Sequence, residues 1–231
     1  IETLIDGAHG PGMVNLQLEK LGATYYTGNC HKWICSPKGS ALLYVRSEKI
    51  ESIRPTVISH GYNTLRSDRS KYLIQFGWTG TLCPTPWLCI PETIEYLGRV
   101  IPAGWTAIME RNHRLALLGR DIICQALNVH QPCPDEFHGS MVTIPIPPDP
   151  KGRPPALPRF EALLQNELWV RHKIEVPIFF WPDLKNRHLR ISAQLYRRLS
   201  KTSRGTFRRT GWRIGISFYS FKGSGKRGVA I

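Results

Sequence analysis

No uninterrupted apolar run long enough to cross a bilayer occurs in this sequence, and its mean hydropathy is −0.24, which argues against a membrane span. No secretory leader is visible at the IETLID start: a basic stretch and a small-residue cleavage site are both lacking. Six cysteines are present, at 30, 35, 83, 89, 124 and 133, but none forms a CxxC pair. A chain of 231 residues with 42% hydrophobic content buries a core without disulfide staples, so the cysteines read as free thiols in a reducing cytoplasm. Cys30, His31 and Cys35 lack a second ligand pair at metal spacing, so a structural zinc site is not expected.

Acidic residues are also scarce: 17 Asp and Glu stand against 31 Lys and Arg, a formal charge of +14. The imbalance is local. Residues 197–231 hold ten Lys and Arg and no Asp or Glu; subtracting those ten leaves +4 for residues 1–196. The body therefore has the charge of an ordinary soluble enzyme. It also lacks the alternating aromatic and basic residues of a nucleic-acid stacking platform. Nucleic acid is thus an unlikely partner, although a basic tail is the feature that would recruit one.

What is present reads as alternating strands and helices. Residues 2–5 form a strand ending at Asp6, followed by a Gly- and Pro-marked loop. A short helix over 15–22 stops at Gly22, and strands follow at 23–28 and 41–46 around a polar turn. Strand, helix, strand implies an α/β sheet with crossover connections. Residues 86–100 read as helix with a break or first turn at Pro91. Apolar residues at helical spacing predict a long amphipathic helix over 105–127. A strand at 141–146, a helix at 159–169 and strands near 174–181 and 188–194 complete a small α+β domain. After 197 helical periodicity vanishes and apolar anchors are too few to expect a fold. The expected organisation is 1–100, 101–196 and a basic, disordered or foreign tail, 197–231.

Three features point to chemistry: Asp6 at a strand end, His31-Lys32 in the turn after another strand, and Arg190 within RISAQ. A lysine amine captures carbonyls, a carboxylate holds a ring nitrogen's proton, and a guanidinium grips a carboxylate in two places. Carboxyl ends of strands in open α/β sheets are where such groups converge.

DGAHGPG at 6–12, HKW at 31–33 and PKGSALLYV at 37–45 resemble the class V aminotransferase family of fold-type I pyridoxal-phosphate (PLP) enzymes. FGWTGTLCPTPWLCIP at 76–91 and RISAQLY at 190–196 resemble its isopenicillin N epimerase-like branch. The resemblance covers about residues 1–196. It implies an α/β, partial PLP-dependent transferase fold: the C-terminal part of the large mixed or parallel-sheet domain, plus a small α+β domain. It implies pyridoxal 5′-phosphate as cofactor, with Lys32 as Schiff-base lysine and acid/base at the substrate α-carbon. Asp6 would pair with the pyridine nitrogen and His9 would lie near the phenolic oxygen. Asn29 and His31 would contact the phosphate, and Thr81 the phosphate of a neighbouring subunit's cofactor, which implies a homodimer with shared sites. Arg190 would hold the carboxylate of an amino-acid substrate, and His60 would line the site.

The sequence also departs from the family pattern. Relatives commonly carry Ser at the position of Asn29 and Asp at that of Cys83. About half of the family's large domain precedes the DGAH motif, so the chain reads as an N-terminally truncated fragment, expected to fold poorly or bind PLP weakly. The expected activity is epimerase-like or aminotransferase. The alternatives are an inactive fragment or pseudoenzyme and, behind it, a cysteine desulfurase or lyase, for which Cys124 and Cys133 lack a matching local motif.

Overall fold

The computed structural model describes residues 1–131, 133–152 and 163–196, together with the backbone of 198–201 and 212–215. The chain divides into two units, Ile1–Arg111 and Asn112–Ile231.

The first unit is built on a three-stranded sheet in the order β1-β2-β3. β1 (Leu4–Asp6) runs parallel to β2 (Tyr25–Asn29), with Asp6 opposite Thr27. The crossover between them carries a single-turn helix, α1 (Leu18–Leu21), ended by Gly22 at φ 71°, a left-handed stop that glycine adopts without strain. β3 (Ala41–Val45) lies antiparallel to β2, so the sheet is mixed. The connection over residues 30–40 is too short for the helical crossover that a parallel neighbour requires. Alternation then decides burial: Tyr26 and Gly28 of β2 face inward and are buried, while their neighbours are half-buried.

Helices follow. α2 (Lys71–Phe76) starts at Ser70, whose side chain accepts a hydrogen bond from Leu73 N at 3.3 Å. The stretch expected as one helix is split at Cys89 into the short α3 (Thr85–Leu88) and α4 (Ile90–Val100), and Pro91 sits in the first turn of α4. A proline there removes an N–H that would have had no helical partner. α5 (Gly104–Leu127) is the long helix expected from the sequence.

The second unit centres on a sheet in the order β4-β6-β5, antiparallel throughout. β4 (Met141–Ile146) alternates strictly, burying Val142, Ile144 and Ile146. β5 (Ile178–Phe180) and β6 (Arg187–Ser192) complete it. Val142, Ile144 and Ala193 pack on Ala116 and Cys124 of α5, and Gly119 lets Ile191 approach closely: a Cβ there would lie 2.8 Å from its Cδ1. A second cluster joins Ile146, Val176 and Ile178 to Leu164 and Leu168 of α6 (Leu163–His172). The helix expected over 159–169 is thus seen from 163, its first residues lying outside the described set. Arg120, 2% exposed, is held by Asp121 at 2.8 Å and Asp135 at 2.6 Å. Within 197–231, expected to lack regular structure, β7 (Arg198–Lys201) pairs with β8 (Trp212–Gly215).

Candidate active site

The site is assembled by the loop after β1 and the turn after β2, which leave the carboxyl ends of two parallel strands. Backbone bonds stitch them together: Gly7 N donates to Thr27 O at 2.9 Å, and Asn29 N donates to Ala8 O at 3.3 Å. The loop seats closely because its glycines have no side chain. A Cβ on Gly7 would stand 2.1 Å from the Tyr26 ring. Gly12, at φ 79°, lies against the backbone of Trp33 and Ile34, at 2.9 Å from where its Cβ would be. The glycines of DGAHGPG therefore serve close packing of the loop onto β2 and onto the turn bearing the lysine.

Within this frame Lys32 Nζ lies 3.2 Å from His9 Nε2. The other nitrogen of the same ring, Nδ1, accepts a hydrogen bond from Trp33 Nε1 at 3.2 Å. Lys32 and His9 are half-buried, and Trp33 is buried at 6% exposure. His31 points its Nδ1 at the carbonyl of the buried Ser40, 2.9 Å away. Since a carbonyl only accepts, Nδ1 is a donor there.

Asp6 ends β1. Its Oδ1 accepts from Ala8 N at 3.0 Å, an Asx-type turn that fixes the carboxylate at the mouth of the loop. Tyr26 donates its hydroxyl to Gly7 O at 3.1 Å. Burial, and behind it the charge of Asp6, pushes the Tyr26 phenol above its ordinary value, so the hydroxyl stays a donor. Burial likewise pushes up the Cys30 thiol next to the His31-Lys32 pair, keeping that sulfur unreactive.

The other expected residues are placed differently. Asn29, half-buried, is the last residue of β2. Thr81 and His60 are exposed in loops. Arg190 belongs to the second unit, on β6 opposite Thr143; its Nε is buried with no hydrogen-bond partner among the described residues. Trp33 and Tyr26 are the residues sequence reasoning left unassigned. The HKW triplet contained the signal for Trp33, but an indole adjoining a lysine does not reveal that it reaches a histidine 24 positions away.

No protein-family model matches the chain. Among curated proteins, it is 30% identical over 208 residues to isopenicillin N epimerase of Streptomyces clavuligerus, a match spanning 85% of this chain and 49% of that protein. It is 28% identical over 181 residues to L-cysteine desulfhydrase of Arabidopsis thaliana, over 78% of this chain and 37% of the relative. Among solved structures, apo cysteine desulfurase from Thermococcus onnurineus NA1 superposes with a TM-score of 0.63 at 21% identity, over 84% of this chain and 48% of that one. The chain belongs to the class V aminotransferase family. Its fold is that of the fold-type I enzymes, in part: the chain spans about half the length of the curated relatives it matches.

Pyridoxal phosphate is the cofactor of this family, and the donor set of the first unit suits it. An amine and an imidazole in contact, a carboxylate at the adjoining strand end and a second imidazole oriented by Ser40 are the groups an aldehyde-bearing, anionic pyridine requires.

Proposed function

We propose that this chain binds pyridoxal 5′-phosphate and acts at the α-carbon of an amino acid, with Lys32 as the amine that captures the cofactor. The observation that carries this reading is the 3.2 Å contact of Lys32 Nζ with His9 Nε2 at the carboxyl end of parallel strands. Bound pyridoxal phosphate supplies an aldehyde that condenses with amines and a ring that draws electrons from the α-carbon. Lys32 then moves the α-proton. Asp6 holds the proton of the ring nitrogen, and His9 faces the phenolic oxygen. His31 and Asn29 hold the phosphate, joined by Thr81 of a second copy of the chain in a homodimer. Arg190 grips the substrate carboxylate, since its buried Nε lacks a partner among the described residues, and His60 lines the entrance. Residues 1–100 act as the cofactor-binding part, and 101–196 as the small domain that carries Arg190.

Removal of the α-proton is a step common to epimerisation and transamination, the activities we favour. Elimination from cysteine starts the same way, and relatives named as epimerase and as desulfhydrase both match this chain. The test is therefore set at the shared step. The chain and pyridoxal phosphate are incubated with amino acids in deuterium oxide, and the α-position is followed by proton NMR. Deuterium should enter with the native chain and not with Lys32→Ala. Full retention of the α-hydrogen across a panel of amino acids would contradict the reading.

A further inference from the structure

The contacts around His9 constrain where its ring proton sits. Trp33 Nε1 bears a hydrogen and has no lone pair to offer, so at 3.2 Å it donates, and His9 Nδ1 accepts. A neutral imidazole that accepts at Nδ1 carries its proton at Nε2. That nitrogen faces Lys32 Nζ at 3.2 Å. An Nε2–H meets the amine favourably only by donating to its lone pair, the same lone pair that attacks a carbonyl. Against an ammonium it would set two donors face to face.

We infer that Trp33 is a positioning residue: its indole N–H fixes His9 as the Nε2–H tautomer and thereby presents a donor to the amine of Lys32. Trp33 Nε1–H donates to His9 Nδ1, and the His9 Nε2–H that follows faces Lys32 Nζ at 3.2 Å. The assignment of the tautomer stands on the geometry alone; its consequence for carbonyl capture rests on the function proposed above. Burial reinforces the arrangement. Trp33, at 6% exposure, has little access to water as an alternative acceptor, and the loop carrying His9 is pinned to the turn carrying Trp33 through Gly12.

The test uses the full chain labelled with nitrogen-15 histidine. In the native protein His9 should show a pyridine-type signal for Nδ1 and a pyrrole-type signal for Nε2. Replacing Trp33 by β-(3-benzothienyl)alanine keeps the ring shape and deletes the N–H. Both His9 signals should then shift toward the average of two tautomers. Borohydride trapping of Lys32 with pyridoxal phosphate is run alongside as the separate test of the function proposed above. Trp33→Phe should move the histidine signals the same way. A pyrrole-type Nδ1 in the native chain would overturn the inference, and so would an unchanged His9 spectrum in the benzothienyl protein. Failure of Lys32 to be trapped, with the tautomer as described, would count against the proposed function and leave the tautomer assignment standing.

Discussion

Lys32 Nζ and His9 Nε2 stand 3.2 Å apart, although 23 positions separate the two residues in the chain. The contact exists because β1 and β2 run parallel and end together, so the loop after one and the turn after the other share one edge. The chemistry proposed for this protein depends on that shared edge.

Asp6 separates charge from shape. Its Oδ1 holds Ala8 N, a bond that asparagine's carbonyl oxygen also makes. Asp6→Asn should therefore leave thermal stability within about 0.5 kcal/mol of native. The rate of α-hydrogen exchange should fall by roughly one to two powers of ten, the 1.5–3 kcal/mol range of a hydrogen bond to a charged group. Parallel melting and exchange measurements check this; equal exchange rates would remove Asp6 from the site.

Gly7 is a packing requirement. With a Cβ placed 2.1 Å from the Tyr26 ring, Gly7→Ala forces the loop away from β2. Overpacking of this kind costs about 1–3 kcal/mol, and it should also draw His9 away from Lys32. Chemical denaturation and borohydride trapping should both worsen in this variant.

The motif residues were legible because they belong to short segments whose letters carry their own geometry. The glycine-spaced loop after β1 and the lysine turn after β2 are examples, and the strictly alternating MVTIPI strand announced β4 in the same way. The antiparallel return of β3 was not legible from strand propensity, since pairing direction depends on the length of the connection. Pro91 was read as either a break or a first turn, and helix context decided for the turn. The partner of Trp33 was beyond sequence reasoning, because it depends on two loops meeting at the ends of separate strands. The ion pairs of Arg120 were hidden for a similar reason. Asp121 adjoins it in sequence, but Asp135 reaches it only through the fold.

Arg190 tests function against stability. Its Nε is buried without a partner among the described residues, and an unmet buried donor is destabilising. Arg190→Met, which keeps the apolar stem, should melt at the native temperature or higher, by up to about 1 kcal/mol of added stability. Amino-acid affinity should fall at least roughly tenfold, the loss expected on removing a charge-assisted contact. Thermal melts and substrate titrations read the two effects separately.

His138 gives the second unit a pH dependence. Burial, and after it the charge of Arg120, holds its imidazole below the ordinary histidine value, while Nε2 rests 3.3 Å from Cys133 Sγ. The unfolded chain takes up this proton first. The stabilisation is therefore fully present above about pH 6.5, the unfolded value, and is lost as pH falls through the lowered folded value. Denaturant midpoints at pH 7.5 and 5 should differ more in the native chain than in His138→Gln.

The central claim is that the amine at position 32 captures the cofactor. The full chain is mixed with pyridoxal phosphate, reduced with borohydride and digested, and the phosphopyridoxyl group is located by mass spectrometry. The account predicts the adduct on the peptide bearing Lys32 and its loss in Lys32→Ala. An adduct spread over surface lysines, unchanged by that substitution, would contradict it.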